Sequence, residues 1–207
     1  MVQPAKSTKG PLLDLLHVGC GQKRPERLPA CFRTPAWNEI RFDIDSAVEP
    51  DIIGSITDLS LIGDATMDAI WSSHNLEHLN SFEVPLALAE FRRVLKPNGF
   101  ALISVPDLRA VARHIVTGQL DKPLYHSAAG PITAIDIVYG HQLSLQHGND
   151  FMGHRTGFTA DSLGQALCES GFPEVRVHTG SNWDLWAVAL MPETSEEVFQ
   201  HLSGVMQ

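Results

Sequence analysis

Residues 12–21 read LLDLLHVGCG, an apolar run that ends at Gly19 and Gly21. Such a run is a short strand feeding a tight turn. Two residues without Cβ atoms let the backbone bend sharply and come close to a bound ligand. Outward from this stretch, further short strands are expected at 39–44 (EIRFDI), 51–56 (DIIGSI), 68–73 (DAIWSS) and 100–105 (FALISV), with two more at 174–178 and 185–190. Helical segments separate them. In 81–95, Val84, Leu88, Phe91 and Leu95 recur at four, three and four, which puts them on one helical face. Asn80 and Glu83 are spaced for a capping box, and Lys96-Pro97-Asn98-Gly99 makes the turn into the next strand. A second helix, 160–170, follows Thr159, carries Leu163, Ala166 and Leu167 on one face, and stops at Gly171. A third is expected at 194–203. Short apolar strands alternating with helices give an α/β fold with a parallel sheet covered on both faces.

The 207 residues are 43% hydrophobic and 19% charged, which excludes intrinsic disorder and leaves material for one sizeable core. Residues 1–11 read as a flexible leader and 12–207 as a single domain. The stretch 119–155 is rich in Gly and His and lacks periodicity, so it reads as a lid or acceptor-binding insertion. Fifteen Lys and Arg against 24 Asp and Glu give a formal charge of −9, unsuited to a phosphate backbone, so nucleic acid is not an expected partner. No apolar segment approaches a membrane span, and LLDLLHV is too short and too polar for a signal sequence. Three scattered cysteines, Cys20, Cys31 and Cys168, form no disulfide framework and no CxxC pair. A cytoplasmic protein is expected, with a second copy of the chain as the one macromolecular partner left open.

In an open parallel sheet the ligand sits beyond the carboxyl ends of the strands. Asp43 stands at such an end, about twenty residues after the glycines, where a carboxylate can accept hydrogen bonds from both ribose hydroxyls. Asp45 competes for that role. Glycine turn and acid together point to a nucleoside-bearing ligand.

LLHVGCG, RFDID, PDIIGSITDL, MDAIWSSHNLEHL and FRRVLKPNGFALISVPD, in that order and spacing, resemble class I S-adenosylmethionine-dependent methyltransferases. The likeness is to the methyltransferase-11-type group in its short form, where the first helix is reduced to a loop, and it spans about residues 12–190. It implies a Rossmann-like three-layer sandwich with a seven-stranded, mostly parallel sheet and the lid between the fifth and sixth strands. S-adenosyl-L-methionine is the implied cofactor. Gly19, Cys20 and Gly21 then match the loop against its methionine portion. Asp43 matches the ribose acid, with Ile44 beside the adenine. Ser73, His74 and Asn75 match the segment that holds the amino acid end and borders the transferred methyl. The family's acid toward the adenine amino group falls on Ser55 here, leaving Asp58 or the backbone of Ile56 for that contact. His17 stands where an acid often precedes the first glycine.

The implied reaction is methyl transfer to a small-molecule acceptor by in-line displacement, giving S-adenosylhomocysteine. The alternative is a methyltransferase fold kept as a non-catalytic binding module. If the acceptor must lose a proton, the base candidates are His154 and His141 in the lid and His74 beside the cofactor segment. His154 lies in DFMGHRTGF, a stretch that resembles a lid segment of related sequences. His141, His147, Asp150 and His154 fall at spacings of six, three and four, which gives no convergent ligand set, so no metal site is expected.

Overall fold

The computed structural model describes residues 12–127 and 129–203. The expected leader, 1–11, lies outside them. Nine strands form two sheets. The main sheet holds β1 (Leu13–Val18), β2 (Trp37–Asp43), β3 (Ile52–Ile53), β4 (Met67–Ser73), β5 (Leu95–Pro106), β8 (Glu174–Thr179) and β9 (Asp184–Leu190), in the order β3-β2-β1-β4-β5-β9-β8. β9 runs antiparallel to both neighbours and every other pairing is parallel. This is the Rossmann-like, seven-stranded, mostly parallel sheet that the resemblance implies.

Side-chain alternation sorts each strand into two cores. Leu16, Val18, Ile70, Ala101, Ile103 and Ala187 face one layer, where they meet Leu88 and Phe91 of helix α1 (Val84–Val94) and Leu163 and Leu167 of helix α5 (Ala160–Glu169). Leu15, Ala69, Trp71, Leu102 and Val188 face the other. That second layer holds Leu28, Cys31 and Phe32, from the loop between β1 and β2, and Leu202 of helix α6 (Glu196–Ser203). Two 3-10 turns, Pro25–Arg27 and Ala30–Phe32, stand where a first helix would cover the sheet.

The helix ends follow local chemistry. Thr159 and Ser162 close a reciprocal capping box on α5, and Gly171 beyond its end takes φ +91°. At α1 only half of the expected box forms: Glu83 accepts from the Asn80 backbone and side chain, and no side chain caps the helix start. The turn expected at 96–99 is a register shift inside β5, where Leu95 pairs with Met67 and Phe100 with Ala69.

Two regions differ from the sequence-based expectation. Helix α2 (Leu108–Val116) was not expected; Asp107 caps it by accepting from the Arg109 amide, and Val111 is its buried contact. The stretch 119–155 is not irregular. It contains a hairpin of β6 (Pro123–Ser127) and β7 (Gly130–Thr133), then α3 (Ala134–Tyr139), α4 (Gln142–Gln146) and a turn at Asp150–Met152. Ile132, Ala134 and Ile137 of this cap pack against Val111 of α2 in a small third core. No helix among the described residues is long and apolar enough to cross a membrane.

Phe91 is fully buried between α1 and the sheet. Truncating it to Ala leaves a cavity in the larger core and is expected to cost about 3–5 kcal/mol, read as a lower urea midpoint at unchanged slope.

Candidate active site

The strand order reverses between β1 and β4. The chain first builds outward through β2 and β3, then returns to lay β4 on the other side of β1. Connections leave in opposite directions there and open a crevice at the carboxyl ends. Gly19 (φ +60°) and Gly21 (φ +56°) shape the β1 side of it. A Cβ on Gly19 would lie 2.6 Å from Cγ of Asn75, so the glycine is required by conformation and by the close approach of the β4 loop.

Two residues of β2 hold this loop from below. The Gly21 amide donates to Asp43 Oδ2 at 2.8 Å, and the other oxygen of Asp43 accepts from the Asp45 amide at 2.9 Å. The buried Arg41 donates its guanidinium protons to the carbonyls of Gly21, Val48 and Glu49. The loop after β1 and the loop after β2 are therefore tied through one cation. Sequence reasoning missed Arg41, whose only visible signal was its place one residue before the strand's last apolar residue.

The crevice is a cavity of about 360 Å³, within the usual range for small-molecule sites. Gly19, Gly21, Asp43, Ile44, Ile56, His74 and Asn75 line it, all expected from the sequence, together with Ser55 and His78. Its opposite wall is the cap, through Asn149, Asp150, Phe151, Met152 and Arg155. Three expected residues are placed elsewhere. Cys20 is buried, its thiol pushed up to about 11 by burial, and Ser73 does not reach the cavity. Asp58 opens on a separate depression with Thr57, Ser60 and Arg93, its carboxylate accepting from the Ser60 amide. His17 pairs with Glu39 across β1 and β2, with Nδ1 2.7 Å from Oε1, and does not line the cavity.

The three candidate bases differ in position. His141 sits at the start of α4 with Nδ1 2.7 Å from the Ser144 hydroxyl, off the cavity. His154 donates from Nδ1 to the Ile137 carbonyl at 2.7 Å and packs edge to face on His78, also off the lining. His74 lines the cavity with about half its side chain exposed, and its backbone holds the unusual φ of +49°. Its Nδ1 lies 3.4 Å from Oε1 of Glu77, which is 1% exposed. Burial opposes the charge on His74, but the bond and charge of Glu77 outweigh it and hold the imidazole above its ordinary pKa. Burial likewise opposes the Glu77 carboxylate, and the bond and charge of His74, with the neighbouring His78 and His154, outweigh it and hold that pKa low.

Residues 16–103 match the family described as a methyltransferase domain. Over that stretch the chain is similar to S-adenosylmethionine-dependent methyltransferases, in keeping with the sheet order and the crevice. Solved structures share the fold at low identity. A SAM-dependent methyltransferase from Archaeoglobus fulgidus is 13% identical, with 86% of each chain covered and a TM-score of 0.56. The PH0226 protein of Pyrococcus horikoshii OT3 is 16% identical over 87% of this chain and 82% of its own, with a TM-score of 0.58. A possible histamine N-methyltransferase from Thermotoga maritima is 12% identical over 87% and 83%, with a TM-score of 0.55. Comparison with curated proteins finds no match.

S-adenosylmethionine is the cofactor that the family match implies, and the cavity chemistry suits it. Nδ2 of Asn75 is a buried donor without a partner in the wall, and Ile44 is an apolar side chain left 51% exposed at the rim beside Asp43. A Gly19→Ala variant must push Asn75 aside and hold alanine at positive φ, a strain of roughly 1–3 kcal/mol. Calorimetric titration with S-adenosylhomocysteine is expected to show at least tenfold weaker binding.

Proposed function

We propose that the domain transfers the methyl of S-adenosylmethionine to a small-molecule acceptor bound between the carboxyl ends of β4 and β5 and the cap. The observation that supports this best is the two-sided cavity. One wall is glycine loop, Asp43 and Asn75; the other is Asn149–Met152 and Arg155, contributed by the cap. A concave, two-walled site suits a compact acceptor better than a polymer, and the charge of −9 disfavours nucleic acid. The three free thiols suit a cytoplasmic setting.

When bound, the sulfonium supplies an already activated methyl group. The protein's part is alignment. Asn75 and the Gly19–Gly21 loop hold the amino acid end, Asp43 the ribose, and Ile44 and Ile56 the adenine, with Ser55 at the position of the family's adenine contact. Holding acceptor and methyl in line can supply roughly 7–11 kcal/mol of barrier lowering. His74 serves as the base, because of the three candidates it alone lines the cavity. Glu77, on Nδ1, orients the ring and leaves Nε2 to take the acceptor's proton. His141 and His154, bonded to Ser144 and Ile137, act outside that step.

Asp43→Ala removes the ribose contact and the support of the Gly21 and Asp45 amides. Loss of such charge-assisted bonds is expected to weaken binding of both S-adenosylmethionine and S-adenosylhomocysteine by roughly 100-fold, read by calorimetry. Failure of the folded wild type to bind either would overturn the cofactor site. With a labelled methyl donor and a whole-cell extract, the label is expected in the low-mass fraction, and label confined to protein or RNA would overturn the acceptor class. His74→Gln is expected to slow that transfer by roughly 10²–10⁴-fold while S-adenosylhomocysteine still binds.

A further inference from the structure

Glu77 is the most deeply buried carboxylate among the described residues, and neither of its oxygens has a well-formed hydrogen bond. His74, at 3.4 Å from Oε1, is a long partner for one of them. An ionised carboxylate held this way costs several kcal/mol unless a cation completes its shell. Among the described residues no lysine or arginine makes an ion pair with it; the groups that favour its charge are the imidazoles of His74, His78 and His154.

Two of those imidazoles are arranged as donors. His78 Nδ1 lies 3.1 Å from the Gly153 carbonyl and His154 Nδ1 lies 2.7 Å from the Ile137 carbonyl. A carbonyl only accepts, so each Nδ1 carries the proton, and in the neutral ring the lone pair is on Nε2. Fixing one ring nitrogen on a backbone carbonyl so that the other can ligate is the usual outer support of a metal-bound histidine. The two rings meet edge to face with centroids 4.8 Å apart. One donor atom from each of Glu77, His78 and His154 lies within 4.8 Å of the other two. Donors about 2.0–2.2 Å from a tetrahedral ion stand about 3.4 Å apart, so side-chain adjustments of about 1 Å would close the set.

We propose that Glu77, His78 and His154 form a binding site for a divalent transition-metal ion, with two imidazole nitrogens and one carboxylate oxygen as ligands. This donor set suits Zn²⁺ or Fe²⁺ and leaves coordination positions open. His78 also lines the cavity, so the site adjoins the space assigned to the acceptor. On the reading of that cavity as the methyl-transfer site, the ion selects an acceptor with a hydroxyl or thiol, whose proton a bound cation makes easier to lose. The binding itself does not depend on that reading.

The test uses the full chain, stripped with a chelator and dialysed against Zn²⁺, with bound metal counted by mass spectrometry. Co²⁺ serves as a spectroscopic probe. Wild type is expected to take up one equivalent of Zn²⁺ and to show visible Co²⁺ bands with nitrogen and oxygen ligation. His154→Ala and, separately, His78→Ala should each weaken Zn²⁺ binding by more than the roughly 10–100-fold that loss of an outer-shell partner costs. His126→Ala and His147→Ala, both exposed, should not. S-adenosylhomocysteine titration of wild type and His154→Ala reports on folding and on the cofactor site independently, since His154 is off the cavity lining; His78 lines it, so the folding of His78→Ala is read by circular dichroism. Uptake equal in His154→Ala and wild type, uptake abolished by His147→Ala, or no uptake by wild type that binds S-adenosylhomocysteine would each overturn the metal site. Uptake that needs His78 and His154 in a chain that binds no S-adenosylhomocysteine would uphold the metal site and overturn the cofactor reading instead.

Discussion

Asp43 and Arg41, two residues apart on β2, hold the glycine loop of the neighbouring strand by opposite ends of its peptide groups. The carboxylate takes the Gly21 amide and the guanidinium takes the Gly21 carbonyl. The site depends on this clamp, because Gly19 and Gly21 hold left-handed conformations where the strand ladder ends, with the Cys20 amide on the Phe42 carbonyl. Arg41 also binds the Val48 and Glu49 carbonyls, so the wall carrying Ile44, Asp45 and Val48 is set by the same cation. A buried arginine that satisfies three carbonyls is costly to expose and rigid once formed. The cavity is thus shaped by backbone groups whose positions are fixed before any ligand binds, the condition under which little binding energy is lost to ordering.

The sheet was legible because its strands are buried on both faces and bounded by turn residues. Leu15 and Leu16 point to different cores, yet both are apolar, so the run reads as continuous rather than alternating. Helices α1 and α5 were legible for the opposite reason: each spans about three turns and repeats its apolar stripe. The cap was not. Its elements are four to six residues long, shorter than the window in which either period can be recognised. Helix α2 carried a readable cap at Asp107, but its face is buried mainly through Val111, too sparse a stripe to register.

In the site, short-range order was legible and long-range approach was not. Gly19, Asp43 and Asn75 belong to motifs at strand ends, where topology alone brings them together. The contact of His78 with Gly153 spans 75 residues, and nothing in the spacing of either segment announces it. The ligand search by spacing stayed inside the lid, among His141, His147, Asp150 and His154. The fold instead carries His154 to Glu77 and His78, at the end of β4.

That long-range contact also bears on how the cap can move. The Glu77 carbonyl accepts from the amides of both Arg155 and Thr156, and the Leu108 amide donates to the Phe158 carbonyl. Gly140 lies so close against Met152 and Gly153 that a Cβ there would fall 2.0 Å from a backbone oxygen. The segment 153–158 is therefore fastened to the body of the domain by main-chain bonds, and α3 is fastened to it in turn through Ile137 and Tyr139. The more exposed pieces of the cap are the β6–β7 hairpin and much of the 141–151 stretch, which carries Phe151 to the cavity. The cluster of Glu77, His78 and His154 sits where these main-chain bonds join the end of β4 to α3, so the backbone that carries all three side chains is cross-linked on both sides.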